Sequence, residues 1–323
     1  MSRIPNLFII GSMKSGTSSL HEYIDTHPEI FMSVIKEPMH FSQSTHYGTE
    51  EGRQDYAALF ESATDEKYVG ESSTEYTKLP RGGNIPQRIY DFNPEARLIY
   101  IMRDPFERVV SNYKHLVKSN LTTLKLYDAL QDEPQELLNS YFAYQLKPYI
   151  EVFGRAAVYV DTFEAMIQDP KDFCKRLFGW LGVDDSFVPT NCDEVMNATP
   201  PEYVGQDFSG FGANLLKRAK ANPVLRKLVP MSISRKIRQS LSKPVYFDFQ
   251  SDAFKQEIES MRPVLDPMLV TWIQELQELT GRSYSQWKTM KRNPDGPPED
   301  REQTVILRQA VDAIIEEATV ASK

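Results

Sequence analysis

The chain has 323 residues, 41% of them hydrophobic, enough to build a sizeable core as one large α/β domain or two. Its formal net charge of −8 argues against general binding to DNA or to highly sulfated glycans, which favour basic grooves. Two cysteines, Cys174 and Cys192, suggest neither a disulfide framework nor a metal site, and no run of about 20 apolar residues offers a membrane span.

Met1-Ser-Arg-Ile-Pro-Asn6 leads directly into the first strand, so the expected location is cytoplasmic, with neither nucleic acid nor membrane as partner. Leu7–Ile10 reads as a short buried strand, followed by a glycine-containing turn and a helix running towards Thr26. That order is the architecture of a phosphate cradle. Backbone N–H groups of Lys14 to Ser18 converge on an anion at the helix N-terminus, where the helix dipole adds positive potential. Lys14 supplies a point charge, Thr17 and Ser18 supply hydroxyls, and Ser12, Ser15 and Gly16 complete the loop. The pattern is G-x-x-K-x-G-T, whereas the triphosphatase loop is G-x-x-x-x-G-K-[ST]. Here the lysine precedes the second glycine.

Further along, Ile30–Met32 is a short extended piece and Tyr68–Gly70 a strand. Glu71 follows that strand with three readings: a partner of Lys14, a contact to the acceptor, or a cap on the next loop. A helix over Ile85–Asn93 precedes the strand Arg97–Met102. Arg103, not an acid, follows this second apolar run, which suits a second phosphate better than a metal. Arg103 has an alternative reading as a partner of Asp104 or Glu107. Ser111 lies on the helix that begins near Phe106.

Three features follow in order: a lid-like helical region over Thr123–Asn139, a helix over Tyr141–Phe153 and a strand over Ala156–Val160. Asp161–Glu164 begins another helical stretch, and a helix Pro170–Leu181 stops at Gly182. Pro189–Gly212 reads as a long loop next to a basic reservoir around Lys217, Arg218 and Lys220. The alternation of strands and helices predicts an α/β, three-layer P-loop-type fold: a central parallel sheet flanked by helices, plus a C-terminal helical tail. The expected boundaries are a main domain over 1–290, a linker over 291–300 and an amphipathic helix over 301–323. In the tail, Leu307, Val311, Ile314 and Ala318 fall at helical spacing. That stripe either docks on its own domain or makes a homo-oligomer or partner contact.

Gly11-Ser-Met-Lys-Ser-Gly-Thr17 together with Arg103-Asp-Pro-Phe-Glu-Arg-Val-Val-Ser111 resembles the donor-binding motifs of sulfotransferases that use 3′-phosphoadenosine 5′-phosphosulfate (PAPS). Lys36-Glu-Pro-Met-His-Phe41, Gly70-Glu-Ser-Ser-Thr-Glu-Tyr76 and Leu279-Thr-Gly-Arg-Ser-Tyr-Ser-Gln-Trp287 resemble the branch containing the heparan sulfate sulfotransferases and soluble bacterial relatives. The likeness covers about residues 5–290, with the motifs in order.

The resemblance implies in-line sulfuryl transfer with PAPS as donor co-substrate, 3′,5′-adenosine bisphosphate as product and no required metal. Lys14 is implied to stabilise the leaving phosphate, Thr17, Ser18 and the loop amides to hold the 5′-phosphate, and Arg103 and Ser111 the 3′-phosphate. Lys217, Arg218 or Lys220 is implied to close over the 3′-phosphate, and Glu37 to act as general base, a role typically worth about 10²–10⁴-fold in rate. His40 is a further candidate for the reaction centre, or a packed structural histidine. The Cys-bracketed segment and Lys-Gly-Arg loop of the heparan sulfate enzymes have no counterpart between Cys192 and Lys243.

The expected acceptor is therefore a small hydroxylated or amine-bearing molecule, with a glycan as the alternative. Two other classes stay open: a Mg²⁺-dependent P-loop kinase, and a catalytically inactive nucleotide-binding interaction module.

Overall fold

A computed structural model of the chain describes residues 3–42, 47–192, 202–207, 243–292 and 301–321. The first half runs β1 (Leu7–Gly11), α1 (Thr17–Asp25), β2 (Ile30–Met32), α2 (Glu50–Ala58), β3 (Tyr68–Ser72), α3 (Ile85–Phe92), β4 (Arg97–Met102), α4 (Pro105–Lys118), α5 (Leu126–Asp132) and α6 (Gln135–Leu138). The second half runs α7 (Phe142–Phe153), β5 (Val158–Thr162), α8 (Phe163–Gln168), α9 (Pro170–Leu181), β6 (Glu202–Asp207), β7 (Lys243–Asp248), α10 (Asp252–Ser260), α11 (Arg262–Thr280), α12 (Lys288–Arg292) and α13 (Glu302–Ala321).

The chain divides into two units, one of Met1–Val109, Glu133–Ala198 and Arg262–Lys323, the other of Val110–Asp132 and Thr199–Met261. The first unit holds a five-stranded sheet in the order β2-β3-β1-β4-β5, with every pairing parallel. Its strands are near-continuous apolar runs because both faces are covered. Leu7 and Ile9 pack with Leu20 and Ile24 of α1 and with Phe173 and Leu177 of α9. Phe8 and Ile10, pointing the other way, pack with Ile89 of α3, Leu146 of α7 and Ile273 of α11. This is the expected three-layer α/β fold, with β1 at the centre of the sheet and its C-terminal end opening into the phosphate-type loop.

Local signals explain several element ends. Asp169 caps α9 by accepting from the Asp172 amide at 3.0 Å, Pro170 occupies the first turn, and Gly182 closes the helix in the left-handed region. Two expectations shift. The last strand of the parallel sheet is Val158–Thr162, not Ala156–Val160, because Arg155–Ala157 coil into a 3-10 turn after Gly154. Asp161 and Thr162 are then strand residues, and the next helix begins only at Phe163, where the Thr162 hydroxyl accepts from the Ala165 amide. The region expected over Thr123–Asn139 is two short helices, interrupted before Pro134.

The second unit contains the antiparallel pair β6–β7, with Glu202 opposite Asp248 and Asp207 opposite Lys243. Residues 202–207 are thus a strand within the stretch read as a loop, and residues 193–201 and 208–212 of that stretch lie outside the described residues. Tyr113 stacks on Phe254 at 6.3 Å, and the Lys114 ammonium lies over the rings of Phe249 and Phe254.

The C-terminal helix packs on its own unit. Leu307 and Val311, the first half of the apolar stripe, are fully buried, and the Thr304 hydroxyl donates to the Val264 carbonyl of α11 at 2.8 Å. The first half of the stripe considered for homo-oligomerisation is therefore buried within its own unit, where α13 packs against α11 and α6. Linker residues 293–300 lie outside the described residues, and among the described residues no helix is long and apolar enough to cross a membrane.

Candidate active site

The phosphate-type loop is built from β1 outward. Gly11 is the last residue of β1, and a Cβ there would lie 2.0 Å from the Thr77 hydroxyl and 2.9 Å from the Tyr100 ring. Only glycine lets the strand end pass between them. The Ser12 amide then donates to the Ile101 carbonyl at 2.7 Å, tying the loop to β4. Ser12 and Ser15 are buried, with their hydroxyl oxygens 2.6 Å apart and Ser12 also donating to Ile101. Their side chains brace the loop from within.

Lys14 has φ 71° and Gly16 φ 84°, both left-handed. Lysine pays steric strain there, a cost that functional loops commonly carry. A Cβ at Gly16 would meet Met166 and Phe163 at 2.6 Å, so the glycine is required by space as well as by conformation. Gly16 is the N-cap of α1 and contributes no side-chain cap, so the first-turn amides are left for solvent or an anion. Thr17 is buried and Ser18 and Lys14 are half-buried.

A second cation sits at the end of β4. The Arg103 guanidinium lies 4.9 Å from the centroid of the Phe163 ring, so one aromatic side chain underlies Arg103 and crowds Gly16. The turn carrying Arg103 is pinned on all sides. Asp104 accepts from the amides of Phe106 (3.0 Å) and Thr289 (2.9 Å) and from the Thr289 hydroxyl (2.9 Å). Glu164 accepts from the Asp104 amide at 3.0 Å and from the Trp287 indole at 2.9 Å. Asp104 and Glu107 are engaged elsewhere, Glu107 with Arg262 at 3.2 Å, so neither is the partner that the alternative reading gave to Arg103. Ser111 lies on α4 in the second unit, and Lys217, Arg218 and Lys220 lie outside the described residues.

The third component is the loop after β2. Glu37 has φ 59° and Met39 φ 53°, two left-handed residues around Pro38. The Glu37 amide donates to the Ser72 carbonyl at 2.8 Å. Its carboxylate accepts from the Thr74 amide at 2.8 Å, from the Thr74 hydroxyl at 3.0 Å and from Lys36 at 3.1 Å. The segment that holds Glu37 also holds β1: the Ser73 amide donates to the Ile9 carbonyl at 3.0 Å, and the Thr77 hydroxyl to the Ile10 carbonyl at 2.7 Å. Residues 72–77 therefore connect Glu37 to the strand that ends in the phosphate-type loop. His21 of α1 joins the same assembly, 2.7 Å from the Ser72 hydroxyl, and burial lowers its pKa. His40 is buried, stacked on Tyr56 at 4.2 Å and edge-on to Tyr47.

Glu71 is fully buried. It accepts from the hydroxyls of Tyr76 at 2.5 Å, Ser73 at 2.6 Å and Tyr56 at 3.1 Å, and burial pushes its carboxyl up to about 7. Its hydrogen bonds go to this hydroxyl cluster, which is not among the three partners read for it in sequence. Sequence reasoning missed Tyr56, Ser73, Thr74, Phe163 and Glu164. Thr74 and Ser73 stood inside a quoted motif, but nothing local marked them as holding Glu37 or Glu71. Among the described residues, no group of three or more His, Cys, Asp or Glu side chains could hold a metal ion.

Residues 5–187, more than half of the chain, match the Sulfotransferase family. The chain is 30% identical over 247 residues to heparan sulfate glucosamine 3-O-sulfotransferase 6 of Homo sapiens, covering 73% of this chain and 68% of that protein. It is 36% identical over 113 residues to a membrane-associated sulfotransferase of Dictyostelium discoideum, covering 34% of this chain and 22% of that one. The chain spans less than half the length of the first curated relatives it matches. A solved sulfotransferase from Alicyclobacillus acidocaldarius superposes with a TM-score of 0.60 at 26% identity, over 89% of this chain and all of that one. With the loop, the Arg103 turn and the Glu37 segment in one fold, the chain belongs to the sulfotransferase family.

Proposed function

We propose that the protein transfers the sulfuryl group of PAPS to a hydroxyl or amine of a small-molecule acceptor. The observation that carries this reading is the Ser72–Thr77 segment, which bonds both to β1, ahead of the phosphate-type loop, and to the Glu37 carboxylate. Charge stabilisation and a base are thereby built on one rigid piece.

The residues fit a donor with phosphates at two places: an uncapped helix start with Lys14, and a separate cation, Arg103, at the neighbouring strand end. When bound, the donor supplies the sulfuryl group. Glu37 takes the proton of the acceptor O–H or N–H as the new bond to sulfur forms. Lys14 and the first-turn amides of α1 stabilise the negative charge that collects on the 5′-phosphate as its bond to sulfur breaks. Thr17 and Ser18 hold that phosphate and Arg103 the 3′-phosphate. His40, stacked within the aromatic cluster, lines the acceptor side.

The net charge of −8 favours a compact acceptor over a polyanionic one. A carbohydrate acceptor is the second reading, favoured by the name of the human relative, a heparan sulfate glucosamine sulfotransferase.

The test is calorimetric titration of 3′,5′-adenosine bisphosphate into wild type and Lys14→Ala with EDTA present, against ATP as comparison ligand. Metal-independent binding that exceeds ATP and weakens in the variant supports the reading. A preference for ATP with Mg²⁺ returns the chain to a P-loop kinase. Binding without transfer to any member of a broad acceptor panel leaves a nucleotide-binding module.

A further inference from the structure

The three hydroxyls donated to Glu71 come from residues that each touch a different member of the Met39–Phe41 segment. Ser73, which donates to Glu71 at 2.6 Å, accepts from the Met39 amide at 3.0 Å. Tyr56, which donates at 3.1 Å, stacks face to face on His40 with ring centroids 4.2 Å apart and planes 6° from parallel. Tyr76, which donates at 2.5 Å, packs edge-on to Phe41 with ring centroids 5.8 Å apart. The donors arrive from two elements, α2 and the turn after β3, and their three hydroxyls converge on this carboxyl. Glu71 itself is 0% exposed, so it cannot reach an acceptor or the donor. A buried acid is costly unless its hydrogen bonds are complete, and a complete network specifies one arrangement.

The segment it gathers needs such specification. Glu37 and Met39 both hold left-handed φ values that their side chains disfavour, so the turn that presents Glu37 persists only where its surroundings over-determine it. The Met39 amide on Ser73 ties its second left-handed residue to the Glu71 cluster, while the Met39 carbonyl accepts from the Ser42 amide and hydroxyl.

We propose that Glu71 is a positioning residue for sulfuryl transfer: it clamps Ser73, Tyr56 and Tyr76 so that Met39–Phe41, and with them the Glu37 turn, hold one geometry. This rests on the reading of Glu37 as the base. It adds that the rate depends on a carboxyl the reacting groups never touch.

The test combines hydrogen exchange of peptides spanning residues 36–42 with release of 3′,5′-adenosine bisphosphate from PAPS, water serving as acceptor. The proteins are wild type, Ser73→Ala, Glu71→Met, the double variant and Glu71→Gln. Ser73→Ala and Glu71→Met are expected to speed exchange at Met39 about tenfold or more and to slow release by a similar factor, with bisphosphate affinity unchanged. The double variant matches the worse single one, and Glu71→Gln, which keeps the shape and one acceptor oxygen, falls between it and wild type.

Ser73→Ala removes a single buried hydroxyl, so it keeps the test open if Glu71→Met fails to fold. Unchanged exchange in Ser73→Ala overturns the clamp. Faster exchange with unchanged release overturns the positioning role. A wild type that binds no bisphosphate sinks the sulfuryl-transfer reading and with it the catalytic half of the proposal, while exchange at Met39 still decides the clamp.

Discussion

Thr74 holds both oxygens of the Glu37 carboxylate, its amide donating to Oε2 at 2.8 Å and its hydroxyl to Oε1 at 3.0 Å. The base proposed at Glu37 must be aimed as well as ionised, and two donors from one residue fix both the rotation and the depth of its carboxylate. The same residue sits between Ser73 and Thr77, which are bonded to β1. The aim of Glu37 is therefore referred directly to the strand that carries the phosphate-type loop.

Thr74→Val keeps the amide bond and the shape but removes the hydroxyl. Its expected effect is a fall of about tenfold in turnover with the affinity for 3′,5′-adenosine bisphosphate unchanged, as for an interaction that matters in the transition state. Steady-state transfer and calorimetry on the same preparation check it. Equal losses in turnover and product affinity would instead mark a collapse of the whole site.

Gly16→Ala should act on fold and site together. The new methyl meets Met166 and Phe163 at 2.6 Å in a backbone with φ 84°. Left-handed strain and overpacking together cost about 2–4 kcal/mol. Urea denaturation should show that loss, and bisphosphate affinity should fall with it because α1 must move. Wild-type stability in this variant would mean that α8 yields freely, against the packing described.

Much of this arrangement could be read locally, and the reasons are plain in particular residues. β4 was predictable over Arg97–Met102 because both faces are covered and the run is apolar throughout, and α9 because Asp169, Pro170 and Gly182 mark its ends. Gly11, Lys14, Gly16 and Arg103 stood out in the sequence by their spacing. Asp161 and Thr162 did not read as strand, because polar residues at a strand end are tolerated only through distant partners. Asp161 is paired with Arg176 at 3.2 Å and Arg282 at 3.4 Å, both well beyond the local window. β6 pairs with β7 across a long intervening stretch, which no short-range pattern announces. The Glu71 cluster draws on Tyr56, Ser73 and Tyr76, and its purpose shows only when Met39, His40 and Phe41 are seen against them.

Arg103→Ala offers a test of which phosphate each cation holds. If Arg103 reads the 3′-phosphate, the variant loses about tenfold or more in affinity for 3′,5′-adenosine bisphosphate, a charge-assisted contact being worth about 1.5–3 kcal/mol. Affinity for adenosine 5′-monophosphate, which lacks that group, should change little. Lys14→Ala should weaken both ligands. Equal losses for both ligands in Arg103→Ala would place Arg103 on the 5′-phosphate or on general steering.

The C-terminal helix should contribute to stability through its buried side. Leu307 is 0% exposed, and truncating a buried leucine to alanine costs about 2–5 kcal/mol. Leu307→Ala should lower the thermal midpoint, whereas Val305→Ala, at 42% exposure on the outer face, should not. A Leu307→Ala protein with an unchanged midpoint would refute docking of α13 on α11. A midpoint that depends on protein concentration would restore the oligomer reading.

Glu71 also predicts a pH dependence of stability. Burial raises its carboxyl from the ordinary 4.5 to about 7 in the folded protein, against the opposing pull of Ser73, Tyr76 and Tyr56, with the nearby Glu37 charge adding to the rise. Between those values the unfolded chain has released this proton while the folded protein keeps it. The folded state therefore binds more protons in that window, and this contribution is fully present below about 4.5 and is lost as pH rises through about 7. The span corresponds to about 3 kcal/mol at most, since each unit of pKa difference is worth about 1.4 kcal/mol. Glu71→Gln cannot titrate and should remove this component. The difference in unfolding free energy between Glu71→Gln and wild type should shift in favour of the variant by a few kcal/mol from pH 5 to pH 8, measured by urea denaturation at fixed ionic strength. A difference that stays constant across that range would mean that Glu71 ionises at its ordinary value, its three hydroxyl donors compensating fully for burial.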